Sequence, residues 1–239
     1  MKIIIAKNYN AMSVLAASLV ITQIKRKPAS VLGLPTGHTP EGLYRELAKT
    51  YRKKLISFKK VKTFDLDEYV GLNVKDKNSY HAYMKKFFQQ VDIDINNIHI
   101  PNEEAADLKK ECSSYEKLIK QNPIDLLILG IGRDGHLGFN EPGSNFSSQT
   151  RIVSLLPSTR RANAINFESI KSVPKQAITM GLGTIMSAKK IILLAAGKDK
   201  AEIIRRALKD KISTNIPASI LQKHSNVTVI TDIEAGKLL

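Results

Sequence analysis

Asp134, His136 and Glu141 fall within one short stretch, Gly130 to Gly143, reading G-I-G-R-D-G-H-L-G-F-N-E-P-G. An imidazole between two carboxylates can shuttle protons: its unperturbed pKa lies near neutrality, and adjacent acids orient the ring and favour its charged form. Gly130, Gly132, Gly135 and Gly138 allow close backbone approaches, while Pro142-Gly143 stops the loop from continuing as a helix. As a bare D-G-H, the same residues fit two turn acids and a satisfied loop histidine. A second acidic pair, Asp65 and Asp67, lies in D-L-D-E-Y-V-G-L. Strand alternation sets both on the face opposite Phe64 and Leu66. Like charges so close raise one pKa, which suits a carboxylate that takes a proton from carbon.

The third candidate is the turn P-T-G-H-T-P, which brings Thr36, Gly37, His38 and Thr39 between a strand and a helix. Thr39 is placed to cap a helix whose first residue is Pro40. Backbone N–H groups at the positive end of a helix dipole meet the physical requirement for a phosphate site, although many turns of this kind bind nothing.

Each candidate sits where an apolar run ends. Ile124 to Ile131 reads as a strand buried on both faces, and the catalytic-type loop starts at its carboxyl end, the edge where open α/β sheets form ligand crevices. Ala29 to Leu34 leads into the phosphate-type turn, and Val61 to Leu66 leads into the acidic pair. Further strands are expected at Lys2 to Ala6, Ile98 to Asn102, Thr150 to Leu155, Lys190 to Ala196 and Val227 to Ile230. Helices are expected from about Asn10 to Lys25, with apolar Val14, Leu15, Ala17, Leu19 and Ile21, then Pro40 to Lys53, Asn78 onward, Glu103 to about Lys120, after Gly197 and from Pro217. Gly181 and Gly183 suggest a strand-to-helix turn near the pocket. The alternation implies one α/β, Rossmann-like domain over residues 1–239, a mostly parallel sheet with helices on both faces.

With 239 residues and 43% hydrophobic content, the chain can build one large core. No apolar run reaches the length needed to span a bilayer, and Lys7 arrives too early for a secretory signal, so a cytoplasmic protein with no membrane partner is expected. Cys112 is the only cysteine, which excludes an intrachain disulfide and a cysteine-based metal cluster. The net charge of +15 fits a nucleic-acid surface or a lysine-rich enzyme that attracts anionic substrates. The densest basic run, Tyr51 to Lys62, lacks interleaved aromatics and matches no nucleic-acid motif, so it reads as a solvated helix end and no nucleic-acid partner is expected. His81 reads as a surface or packing residue.

The glycine-rich loop resembles the signature G-x-G-x-D-G-H-I-x-F-N-E-P of the glucosamine-6-phosphate deaminase/isomerase family, with Leu137 in place of the isoleucine. The resemblance runs in order along nearly the whole chain: P-T-G-H-T-P against the phosphate loop T-G-G-T-P, D-L-D-E-Y-V-G-L against N-L-D-E-Y-V-G-L, and S-T-R-R-A-N-A-I-N against S-T-R-x-A-N-A-R-F-F. It implies conversion of glucosamine 6-phosphate and water to fructose 6-phosphate and ammonia, with a phosphorylated amino sugar as the small-molecule partner and neither metal nor organic cofactor. His136 would open the sugar ring, Asp134 and Glu141 would orient it, and Asp67 would move the carbon-2 proton to carbon 1. Thr36, Gly37, His38, Thr39 and Lys200 would hold the phosphate. A monomer or small homo-oligomer is expected, and by the same resemblance the short C-terminus implies no allosteric control by N-acetylglucosamine 6-phosphate.

Three departures stand out. His38 replaces a glycine, with strain if φ > 0 is needed there. Asp65 replaces an asparagine, adding a negative charge that could perturb Asp67. Ile165 replaces a phosphate-binding arginine, for which Arg160 or Arg161 could substitute. A galactosamine-6-phosphate deaminase/isomerase, a 6-phosphogluconolactonase and a catalytically silent sugar-phosphate sensor are the alternatives; Asp67 followed by Glu68-Tyr69 favours the deaminase branch over the lactonase.

Overall fold

The computed structural model describes residues 1–239. In chain order its elements are β1 (Lys2–Ala6), α1 (Tyr9–Arg26), β2 (Val31–Leu34), α2 (Glu41–Arg52), β3 (Lys62–Asp65), β4 (Asp67–Tyr69), α3 (Tyr80–Phe88), β5 (Ile98–His99) and α4 (Leu108–Gln121). These are followed by β6 (Leu126–Gly130), β7 (Arg151–Ser154), α5 (Pro157–Asn163), β8 (Gln176–Thr179), α6 (Leu182–Met186), β9 (Ile191–Ala195), α7 (Ala201–Lys209), β10 (Val227–Asp232) and α8 (Ile233–Gly236).

The main sheet has seven strands in the order β1-β10-β9-β6-β2-β3-β5, every pair parallel. The α/β class with helices on both faces is therefore as the sequence implied. Strand alternation shows why its runs are continuously apolar. Leu127 and Leu129 of β6 pack on one side with α4, α6 and α7, whereas Leu126 and Ile128 pack on the other with α1, α2 and α3. From β2 the chain winds outward through β3 to β5, then returns to β6 beside β2 and winds the other way. The reversal between β2 and β6 is the switch point at which a crevice opens beyond the carboxyl ends of the strands. The phosphate-type turn follows β2, and the glycine-rich loop follows β6.

Several local expectations are corrected. A second, antiparallel sheet, β4-β8-β7, stands beside the parallel one. Its strands are three or four residues long, too short to show a period of their own. On α1, Val14, Leu15 and Leu19 are exposed, and Met12, Ala16, Ala17, Val20 and Ile24 form the buried stripe. Helix α4 starts at Leu108, because Asp107 accepts the N–H groups of Lys109 and Lys110 at 3.0 Å; Glu103 lies outside it. Thr39 does not cap α2, whose start has no side-chain cap. No helix is long and apolar enough to cross a membrane.

Candidate active site

The glycine-rich loop is fastened from both sides. Gly143 N–H donates to the Thr214 carbonyl at 2.8 Å, and Ala218 N–H donates to the Gly135 carbonyl at 2.9 Å. Asn140, fully buried, donates through Nδ2 to the carbonyls of Leu137 and Met180, while its Oδ1 accepts from Arg151 at 2.8 Å. A fully satisfied side chain of this kind specifies one loop conformation, since any alternative leaves buried polar groups unpaired.

Within that frame the His136 Nδ1 lies 2.6 Å from Asp134 Oδ1, and the same carboxylate oxygen accepts the His136 backbone N–H at 3.2 Å. Burial alone would raise the Asp134 pKa, but the bond and charge of His136 hold it below the usual carboxylate range. His136 Nδ1 is buried against Asp134 without completing a well-aligned hydrogen bond, so Nε2 is the nitrogen left to exchange, on a side chain that is 27% exposed. Gly132 is required here, because a Cβ at that position would overlap Cε1, Nδ1 and Nε2 of the ring.

The loop also reaches Asp67. Gly138, at φ 58°, brings its backbone so close that a Cβ would sit 2.8 Å from Asp67 Oδ2. Asp67 is buried; desolvation, then the charge of Glu68, push its carboxyl up to about 8, with the Phe139 N–H pulling back. Phe139 N–H also donates to Thr179 Oγ1 at 3.1 Å. One loop thus carries the imidazole and covers the carboxylate whose pKa lies near the range suited to proton transfer at physiological pH. Tyr69, Tyr80 and Phe139 pack against one another over this region, excluding water from one side.

Glu141 is buried, but it is not brought to His136. Its carboxylate accepts the Leu156 N–H, at 2.9 Å to Oε2 and 3.2 Å to Oε1. The expected imidazole between two acids is therefore an imidazole with one acid, and Glu141 ties the loop to the start of α5. The reason is its position beyond the turn at Gly138, which aims the chain at the antiparallel sheet.

In the phosphate-type turn, the positive φ falls on Gly37, at 97°, and not on His38. The strain anticipated at His38 is absent. Its side chain is 84% exposed, its Nδ1 lies 3.0 Å from Glu41 Oε1, and both residues line the cavity beside the turn. The backbone N–H groups of Gly37, His38 and Thr39 have no backbone partner, as an anion-binding turn at a helix N-terminus requires. Tyr83 Oη donates to the Gly37 carbonyl at 2.6 Å, and Tyr9 Oη to the His38 carbonyl at 3.1 Å, which fixes the peptide orientation. Thr36 bonds Tyr80.

Lys200 lies on the turn after β9, half-buried. Burial lowers its pKa, and Asp199, Arg133 and Asp134 act on its charge. Arg133 Nε donates to Asp199 Oδ2 at 2.7 Å, joining this turn to the glycine-rich loop. The structure therefore groups Lys200 with Asp134 and His136.

Asp65 departs from its expected role. It is fully buried, neither carboxylate oxygen has a partner, and desolvation followed by the charges of Asp67 and Glu68 raises its pKa well above the usual range. Burial thus favours the neutral form of this acid over the added charge expected from the sequence. Ile165 is 84% exposed and faces a cavity shared with Gly37 and His38, whose other walls include Arg45, Lys77 and Lys86. Arg160 does not replace the missing arginine, since its guanidinium donates to the carbonyls of Ile170 and Val173. Arg151, Asn140, Tyr80 and Thr179 were not singled out from the sequence, because their roles depend on partners distant along the chain.

A family described as glucosamine-6-phosphate isomerases/6-phosphogluconolactonase matches residues 8–230. The chain is 56% identical to a glucosamine-6-phosphate deaminase of Oceanobacillus iheyensis over 97% of its own length and 94% of the relative's. It is 52% identical to one of Clostridium novyi, with 100% of both chains covered. The solved structure of a monomeric glucosamine-6-phosphate deaminase superposes with a TM-score of 0.98 at 49% identity over 100% of each chain. A 6-phosphogluconolactonase from Leishmania guyanensis superposes at 0.79 with 22% identity, covering 99% of this chain and 97% of that one, a likeness of fold alone.

Proposed function

The chain belongs to the family of glucosamine-6-phosphate isomerases and 6-phosphogluconolactonases, and we propose that it converts glucosamine 6-phosphate and water into fructose 6-phosphate and ammonia. The observation that carries this reading is the single loop that holds the His136–Asp134 pair at 2.6 Å and covers buried Asp67 with Gly138.

In this account His136 takes the proton of the anomeric hydroxyl and delivers it to the ring oxygen, opening the pyranose. Asp134 orients the ring and fixes its tautomer. Asp67 then removes the proton from carbon 2 of the open chain and returns it to carbon 1. The resulting ketimine is hydrolysed by water, which supplies the oxygen of the new ketone as ammonia leaves. The free N–H groups of the Gly37 turn and the Lys200 ammonium hold the phosphate, so that a remote anion positions the reacting carbons. Glu141 acts at one remove, setting the loop against α5. None of these steps uses a metal or an organic cofactor.

Residues 1–239 act as one domain, as a monomer or small homo-oligomer in the cytoplasm, with neither nucleic acid nor membrane as partner. The test is ammonia release from purified protein, with chelator present, on glucosamine 6-phosphate and separately on galactosamine 6-phosphate. Turnover of the first and not the second is expected. Turnover of the galactosamine epimer alone would reassign the substrate, and silence on both with ligand-induced stabilisation would indicate a sensor.

A further inference from the structure

Beneath the reacting groups, three elements bring titratable side chains together in a way the reaction does not use. Glu68 follows Asp67 on β4 and is fully buried. Its Oε1 accepts the N–H groups of Tyr69 and Tyr80, at 2.8 and 3.1 Å, while Oε2 accepts only that of His81 at 2.9 Å. One lone pair of Oε2 is left. Glu103, on the segment before α4, is buried, and neither of its carboxylate oxygens has a hydrogen-bond partner. A carboxylate withdrawn from water without a partner is costly and demands an explanation. His81, on the first turn of α3, directs Nε2 at this pair from the solvent side. The ligand-capable atoms of Glu68, His81 and Glu103 all lie within 4.8 Å of one another.

We propose that Glu68, His81 and Glu103 form a binding site for a divalent transition-metal ion of the zinc type, distinct from the sugar-phosphate crevice. The separation of His81 Nε2 from Glu103 Oε2 is 3.5 Å. That is long for a charge-assisted hydrogen bond, which runs about 2.7–2.9 Å. It is close to the roughly 3.3 Å that separates two donors on a tetrahedral zinc with bonds of about 2.0–2.1 Å. One imidazole and two carboxylates are the nitrogen and oxygen donors such ions take, and three protein ligands leave a fourth position for water. Two carboxylates with a neutral imidazole carry a charge of −2, which a divalent ion cancels.

The site is reachable. His81 lines a surface cleft of about 420 Å³ whose walls include Ile98, His99 and Glu111. A bound ion would clamp β4, α3 and the segment at Glu103 together, directly behind the strand that presents Asp67. No local motif announces the site, because its donors come from three separate elements and none is a cysteine.

The test uses the full chain without an affinity tag, stripped with chelator and titrated calorimetrically with Zn²⁺. Uptake of one ion per chain with a rise in melting temperature is expected, and Co²⁺ in its place should give the intense visible absorption of a tetrahedral site. Glu103→Gln and His81→Ala should each weaken binding by at least about 100-fold, whereas His136→Ala should leave the stoichiometry unchanged. No saturable uptake by the wild-type chain below about 1 mM would overturn the site, leaving His81 and Glu103 as a proton-sharing pair. Equal binding by the Glu103 and His81 variants, or loss of binding in His136→Ala, would place the ion elsewhere and overturn it as well. Should a variant fold poorly, the wild-type stoichiometry and cobalt spectrum still decide.

Discussion

Gly132→Ala places a methyl group where the His136 imidazole now lies. The added Cβ would overlap Cε1, Nδ1 and Nε2 of the ring, and ordinary carbon contacts begin near 3.5 Å, so the ring must move by about 1 Å or more. Gly132 does not have positive φ, so alanine brings no backbone strain, and the partly exposed ring can swing outward. The displacement breaks the 2.6 Å approach of Nδ1 to Asp134 and moves Nε2 away from the sugar's hydroxyl. A misplacement of about 1 Å costs on the order of 100-fold in rate, or about 2.7 kcal/mol of activation free energy. Ammonia release from glucosamine 6-phosphate should therefore fall about 100-fold in kcat, with the melting temperature within a few degrees of wild type. A kcat within threefold of wild type would refute the placement of His136 in ring opening; a lost fold would refute the claim that the ring, and not the backbone, yields.

In chelated protein, kcat/KM should rise with pH up to about 8 and then level, because Asp67 must be ionised to accept a proton and its carboxyl is pushed up to about 8; a limb at ordinary carboxylate pH would contradict this burial effect. Asp65→Asn should raise the melting temperature by an amount that grows as pH rises above the ordinary carboxylate range. Asp65 has a raised folded pKa, so its contribution is complete below the unfolded value and is lost as pH rises toward the folded one, a loss the amide does not suffer; a pH-independent difference would show that the carboxyl is not held neutral. Ile165→Arg should lower KM for glucosamine 6-phosphate about tenfold, since this exposed position faces the cavity shared with the Gly37 turn, and an unchanged KM would put the phosphate out of its reach.

The sequence exposes what is contiguous. The apolar runs before Pro35 and Ile131 locate the central strands because burial on both faces leaves no polar positions, and the glycine-rich loop can be read because its Gly, Asp and His lie within a few residues. The bond that Glu141 makes is not legible in the sequence, because its partner, the Leu156 N–H, lies beyond β7 of the antiparallel sheet. The burial that raises the Asp65 pKa is not legible, since pattern alone sets the residue on a strand face without showing that the face is sealed. Arg160 looked free until the turn at Ile170 to Val173 folded back on it. Asp107 rather than Glu103 begins α4 for a local reason that was available, an aspartate immediately before the amphipathic run.

The most direct test of the central claim follows glucosamine 6-phosphate in D₂O by NMR with wild-type enzyme and Asp67→Asn. The account predicts loss of the carbon-2 proton and fructose 6-phosphate labelled in part at carbon 1 by the wild type, and in Asp67→Asn neither exchange nor product, while the sugar phosphate still raises its melting temperature. Exchange and turnover by Asp67→Asn at wild-type rates would contradict it.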